Sequence, residues 1–241
     1  MIYNSNMTAE QIIKKSVAES KYLNQKARRD WVRKMLDYYG GNNTAPYINR
    51  FFDSKAFQEI PCYNANFTRR FVNKMSRIYT VGANRNVNKQ YDQLVIKKNA
   101  RMKHIERMTR LIGTVATQVI YKEVNGMAYF DYRPVYYFDV HLKDAYTPSA
   151  IMYPLLMHPE DILNTDKCEW AYWDESIYAH YDESGRIIES YEHGYGVLPF
   201  LFTHREEQID EFFVDGANDI VDCNEQVNIA MTEMQLGLRF Q

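Results

Sequence analysis

The sequence predicts an α+β fold with N-terminal helices, a central mostly antiparallel sheet and a long C-terminal helix. Three observations predict it. Up to residue 111 the apolar residues recur at helical spacing. From Gly113 onward, β-branched and aromatic residues alternate in short runs with turn residues between them. From about Ala217 the helical period returns and lasts to the end of the 241-residue chain. Strands that follow one another without intervening helices argue against a β-α-β order and for antiparallel pairing.

Taken in order, Thr8-Ala9-Glu10-Gln11 reads as a capping box that opens a first helix. A second helix is expected from about Lys21 to Tyr39, with Leu23, Ala27, Trp31 and Met35 spaced for burial, and Gly40-Gly41-Asn42-Asn43 stops it. Residues 42–62, with Pro46 and Pro61, read as irregular. A short helix follows over 66–80, with Asn66 as N-cap and Gly82 as stop. Its apolar stripe is Phe67, Phe71, Met75 and Ile78, widened by Val72 and Tyr79, and this face is expected to pack the core. A further helical patch spans 88–111, with Met102, Ile105, Met108 and Leu111 beside a basic face. Strands are expected over 114–121, 128–132, 135–140, 151–157, 169–173, 176–181, 187–191 and 200–202. Val124-Asn125-Gly126-Met127 and Asp182-Glu183-Ser184-Gly185 mark hairpins. The last helix should use Ile220, Cys223, Val227, Met231, Met234 and Leu238 as its apolar face. It reaches Leu238-Arg239-Phe240-Gln241 with neither cap nor breaker, as a helix that continues would.

An apolar fraction of 46% with 20 tyrosines is ample for a core. Net charge is only −2, but its distribution is uneven. Residues 1–110 hold 22 Lys/Arg against 8 Asp/Glu, and residues 111–241 hold 7 against 23. A basic half joined to an acidic half suggests polar contacts between copies, or opposite charges shown in different places. Cys62, Cys168 and Cys223 form no CxxC pair, so isolated reduced thiols are expected, as in a cytosolic protein. MIYNSNMTAEQIIKK has no apolar run of signal-peptide type, and no window approaches a membrane span.

The candidate functional face is basic. Arg70, Lys74 and Arg77 repeat at i, i+4 and i+7, with Arg69 beside them, and no acid lies between Asn66 and Gly82. Lys97, Lys98 and Arg101 begin a second basic face. Such a face meets phosphate, an acidic partner or only solvent. No catalytic set is expected: GxSxG, GxGxxG and the P-loop pattern are absent, and no histidine pairs as HExxH or HxH. No cofactor is expected either. The best metal candidate is the run His204, Glu206, Glu207, Asp210, Glu211, Asp215, Asp219 and Asp222, although a solvated acidic face explains it as well. Trp170, Tyr172 and Trp173, with Tyr136 and Tyr137, could stack on bases, but alternating aromatics are what strands use for packing.

Five segments in order resemble the tailed-phage portal proteins. They are Tyr38-Tyr39-Gly40 at a helix end; NFTRRFVNKMSRIYTVGANRNV over 66–87; TRLIGTVATQVIYKEVNGMAYFDYRPVYYFDV, where a helix enters a sheet through a glycine; EHGYGVLPFLFTHREEQ, with its G-x-x-P before a strand; and GANDIVDCNEQVNIAMTEM, with Asp222, Asn224 and Asn228. The resemblance covers roughly residues 30–241. It implies a ring, usually of twelve copies, at one capsid vertex of the virion, built in the host bacterial cytoplasm. DNA is driven through such a ring by the terminase large subunit, and the ring contacts the major capsid protein and tail adaptor proteins. Residues 1–62 would be an N-terminal helical segment and residues 63–241 a wing-like α+β domain leading toward a stem and clip. The basic face would then meet the acidic half of a neighbour, or double-stranded DNA without sequence specificity. Two rival readings are a stand-alone nucleic-acid-binding protein using the basic helices, and a metal-dependent hydrolase using the acidic run.

Overall fold

The computed structural model describes residues 8–22, 25–52, 61–81, 84, 86–95, 98–157, 167–209 and 211–239. Its helices are α1 (Ala9–Tyr22), α2 (Gln25–Gly40), α3 (Ala45–Asn49), α4 (Phe67–Met75), α5 (Lys89–Gln93), α6 (Lys98–Ile112) and α7 (Asn218–Arg239). Its strands are β1 (Thr114–Val124), β2 (Met127–Val135), β3 (Asp139–Leu142), β4 (Pro148–Leu155), β5 (Glu169–Trp173), β6 (Ile177–Tyr181), β7 (Ile187–Glu192) and β8 (Phe200–His204). The class is α+β. Every strand pairing is antiparallel, in a three-stranded sheet of order β2-β1-β8 and a five-stranded sheet of order β3-β4-β5-β6-β7.

The punctuation acts as its chemistry requires. The Thr8 amide donates to Gln11 Oε1 and the Gln11 amide to Thr8 Oγ1, which closes the capping box. Asn125 and Gly126 both take positive φ, the conformation of a two-residue hairpin turn between β1 and β2. Asp182 ties the β6–β7 turn by accepting from the Ser184 hydroxyl and the Ser184 and Arg186 amides, and these bonds push its carboxyl down to about 2.

Several boundaries differ from expectation. Residues 45–49 are helical, because Pro46 sits in a first turn where its missing N–H costs nothing. The helix expected over 66–80 stops at Met75, where the Ser76 hydroxyl and amide both bond back to the Val72 carbonyl. The Gly82 stop lies outside the described residues. The patch over 88–111 is two helices, and the Leu94 carbonyl between them accepts from the Phe130 amide of β2 at 2.7 Å. The strand expected over 135–140 begins only at Asp139, and the one expected over 151–157 runs from Pro148 to Leu155.

Three apolar clusters hold the layers together. Val32, Met35 and Tyr38 of α2 pack with Val72 of α4, Leu111 of α6 and Val221 of α7. Helix α2 thus shares one cluster with α4, α6 and α7. Ile151, Tyr153, Ala171 and Trp173 face the three-stranded sheet through Ala116, Val135 and Phe200. The opposite face of the same strands, with Met152, Trp170 and Tyr172, is covered by Ile13 of α1. Trp170, Tyr172 and Trp173 are thus packing residues, as is Tyr137. Arg29 is buried between these layers, 2.7 Å from Asp139 and 5.0 Å from the Trp170 ring centre.

Gly113 joins α6 to β1 at a positive φ of 94°. A side chain there would overlap the Val214 carbonyl oxygen, and one on the facing Gly216 would overlap the Leu111 carbonyl. The two glycines let the chain before α7 lie directly on the helix-to-sheet joint, where the Ala217 amide donates to Leu111 at 2.8 Å and the Arg205 amide to Gly113 at 2.8 Å. Gly113→Ala should therefore lower folding stability by about 3 kcal/mol or more, since it combines left-handed strain with a backbone clash. Urea denaturation checks this, and an unchanged midpoint would refute the close-approach account.

Candidate functional site

The site is built around α7, and its buried side is polar. Val221, Asn224, Glu225, Asn228, Ile229, Thr232 and Leu236 are the buried set. The stripe expected to be buried, Ile220, Cys223, Val227, Met231, Met234 and Leu238, is half-buried or exposed instead, with Met234 60% exposed. Asn224, Asn228 and Thr232 recur every four residues and face the non-helical segment 63–66 and the first residues of α4. The Tyr63 amide donates to Thr232 Oγ1 at 3.0 Å and the Ala65 amide to Asn228 Oδ1 at 3.0 Å. The Phe67 and Thr68 amides and the Thr68 hydroxyl all donate to Asn224 Oδ1, at 2.8, 2.9 and 3.1 Å. Asn224 Nδ2 returns a bond to the Ala65 carbonyl at 2.8 Å. The match is metric: four helical residues rise about 6 Å and two extended residues about 6.6 Å, so the helix presents side-chain acceptors at the repeat of a strand.

The other flank of α7 is ionic. Buried Glu225 accepts from Lys34 at 3.0 Å, from Arg50 at 3.3 Å and from the Tyr38 hydroxyl at 3.5 Å. Lys34 also reaches Asp222 at 3.1 Å. Burial, with the Glu225 charge beside it, raises the Tyr38 phenol well above its ordinary value. Glu225 carries this junction, and spacing alone could not find it, because in sequence it is one more acid in an acidic half.

The polar seam fixes where α4 starts and which way it faces. Asn66 caps α4 by accepting from the Arg69 amide at 2.9 Å, and its Nδ2 donates to the Tyr39 carbonyl at the end of α2. Only Thr68, Val72 and Ser76 then point inward. The expectation that Phe67, Phe71, Met75 and Ile78 pack the core is corrected: Phe67 is half-buried, and Phe71 (53%), Met75 and Ile78 are exposed. The reason is that Asn224 claims the Phe67 and Thr68 amides, and this turns the Thr68 side inward. Glu106 of α6, also buried, holds the turn after α4 by accepting from the Ile78 and Tyr79 amides at 3.1 and 3.3 Å.

The sequence-predicted cations separate into two groups. Arg69, Arg70 and Lys74 on α4 and Arg77 just beyond its end are exposed, and none forms an ion pair among the described residues. Arg77 Nε bonds the Lys74 carbonyl at 2.8 Å, and Arg69 lies 6.0 Å from the Tyr39 ring centre. On α6 the cations are engaged within the chain: Lys98 pairs with Asp92, and Arg101 lies 3.5 Å from Asp131, which also holds Lys122 at 3.0 Å. Lys97 lies outside the described residues. Lys103, Arg107 and Arg110 of α6 form no ion pair among the described residues but are only half-exposed, so the most exposed basic face is that of α4 and the turn after it.

The acidic run does not converge. No three of its members come together in a metal-ligating group among the described residues, and Asp210 lies outside them. Asp222 is taken by Lys34. Glu211 and Asp215 line a cavity with Arg28, whose guanidinium bonds Asp139 and is pushed by burial to about 10. His204 Nδ1 lies 3.1 Å from Thr114 Oγ1, and burial lowers its pKa. Among the described residues no helix is long and apolar enough to cross a membrane. No family model matches the chain, and no curated protein matches it in sequence.

Two outcomes follow from this geometry. Asn224→Ala leaves buried backbone donors without their acceptor and should cost about 3 kcal/mol, whereas Phe71→Ser should shift stability by less than about 0.5 kcal/mol. Equal losses in urea denaturation would refute the outward orientation of α4. Burial holds the His204 imidazole below its ordinary value, so the unfolded chain binds its proton first as pH falls. Stability should thus decline as pH drops below about 6.5, and His204→Gln should lessen that decline in melting curves between neutral and mildly acidic pH.

Proposed function

We propose that the chain is the wing portion of a tailed-phage portal protein. In this reading it is a structural part of the ring at the capsid vertex of the virion, and not an enzyme. DNA passes inward and outward through that ring, and the terminase large subunit, the major capsid protein and tail adaptors dock on it. The chain would be made in the host cytoplasm and assembled with copies of itself.

The observation that carries the reading is how the five resembling segments meet. The Asn66 segment is held by Asn224 and Asn228 of the last helix and bonds the end of the Tyr38-Tyr39-Gly40 helix. The Gly113 joint is bonded to the segments on either side of the acidic loop. The strand after Gly196-Val197-Leu198-Pro199 pairs with β1 as it leaves that joint. The five segments thus form one connected framework, as a shared architectural core would require. The four exposed cations of α4 and the turn after it suit a neighbour's acids, or DNA that must slide, since phosphate contacts carry no sequence information.

Light scattering of the purified chain at low and high salt, with negative-stain images of the same peak, tests the reading. Ring-shaped particles of about a dozen copies are expected. A 28.6 kDa species at every concentration and salt would count against it. Salt-sensitive DNA binding by that species would then favour the stand-alone nucleic-acid reading.

A further inference from the structure

Two helices turn their apolar stripes outward, and the stripes meet. Phe67 and Phe71 of α4 and Ile220, Cys223 and Val227 of α7 line one groove, with Asp219 and Asn224 as the polar members of its wall. Met75 and Ile78 extend it along α4, and Met234 and Leu238 are exposed farther along α7. A continuous exposed surface of this kind marks a contact site. Arg69, Arg70 and Lys74 lie on the same helix as the groove's α4 wall and Arg77 just beyond its end, and none of the four forms an ion pair among the described residues.

These cations restrict the occupant. A copy docking the same face symmetrically would bring cation against cation. An acidic and apolar surface exists elsewhere on the chain, on β7 and the loop after it. Strand β7 is the free edge of the five-stranded sheet. It exposes Ile188 (50%) and Tyr191, and the loop exposes Tyr195 and Val197 (62%). Glu189 and Glu192 on the strand and Glu183 in its turn are exposed and form no ion pair among the described residues. The groove and this edge belong to different parts of the fold: α4 packs on α2, α6 and α7, while β7 packs on β6.

We propose that the α4–α7 groove receives the β7 edge of a second copy, head to tail, with the α4 cations facing Glu189 and Glu192. The choice of a second copy rests on the ring reading above. The pairing of these two surfaces rests on their complementary charge and uncovered apolar area. A contact between two different patches repeats from copy to copy and closes into a ring or runs on as a filament.

Charge exchange tests it in light scattering at low ionic strength. Arg70→Glu with Lys74→Glu makes groove and edge both acidic. Glu189→Lys with Glu192→Lys makes both basic. All four positions are exposed, so both variants should fold, which circular dichroism checks. Each variant alone should associate roughly tenfold or more weakly than the wild type, because like charges then face each other. An equimolar mixture should recover association, since each acidic groove meets a basic edge and each basic groove an acidic one. Wild-type assembly with either variant unimpaired, or with no recovery on mixing, would overturn this pairing and leave the ring reading standing. A wild type that stays monomeric under all conditions would overturn both, and loss of duplex-DNA binding in Arg70→Glu/Lys74→Glu would then assign the cations to DNA.

Discussion

The polar contact of α7 with the chain around it is the constraint on which the arrangement depends. Buried backbone amides need acceptors, and an unmet one costs on the order of 1–3 kcal/mol. Among the described residues no strand pairs with the non-helical segment 63–66 before α4. Asn224, Asn228 and Thr232 supply acceptors to it and to the start of α4 from a helix instead. Glu225, next to Asn224, gathers Lys34, Arg50 and Tyr38 from the other side. One helix therefore fixes α2, α3 and the start of α4 together. This requirement gives much of the inward side of α7 to polar groups beside Val221, Ile229 and Leu236, and Cys223, Met234 and Leu238 are left facing out.

That inversion gives the molecule its surface. A helix in a globular domain ordinarily buries its apolar stripe. Here α4 and α7 bury Thr68, Val72, Asn224 and Asn228 while Phe71 and Met234 meet solvent. The hydrophobic stripes are available for a contact outside the chain, and the cations of α4 and the turn after it pair with no acid among the described residues. On α6, Lys98 and Arg101 pair with Asp92 and Asp131, while Lys103, Arg107 and Arg110 form no ion pair among the described residues but are only half-exposed. The two basic helices look alike as sequence, yet they present their charge differently. What separates them is the fold placing β2, and with it Asp131, beside α6.

The sheets were largely legible. Alternation in β1, β5, β6 and β7 follows from the two-residue repeat of a strand, and Asn125-Gly126 and Asp182 are local turn chemistry that works wherever the chain is. Boundaries failed where a distant partner intervened. Helix α4 ends early because Ser76 turns back on it and Glu106 takes the following amides. The helical patch over 88–111 breaks because Leu94 bonds Phe130 of β2. The candidate site was half legible: the four cations of α4 and the turn after it and the pair Asn224 and Asn228 could be picked out, but neither Glu225 nor Glu106 carries a local mark.

By itself, then, the sequence determined the α+β class, the order of elements, the hairpin turns, the capping at Thr8 and Asn66, and the opposed charge of the two halves. Each depends on neighbours within a few residues or on composition. Only the tertiary structure decided which face of α4 and α7 is buried, which cations stay unpaired, and that Gly113 and Gly216 must lack side chains. The first and last of these depend on groups brought close from about 100 or more positions away, as when Asn224 meets Phe67 or Val214 meets Thr114, and the pairing of the cations depends on the fold setting Asp131 beside Arg101. An amphipathic pattern states that a helix has two sides, and the hydrogen bonds of the assembled chain choose the side that turns inward.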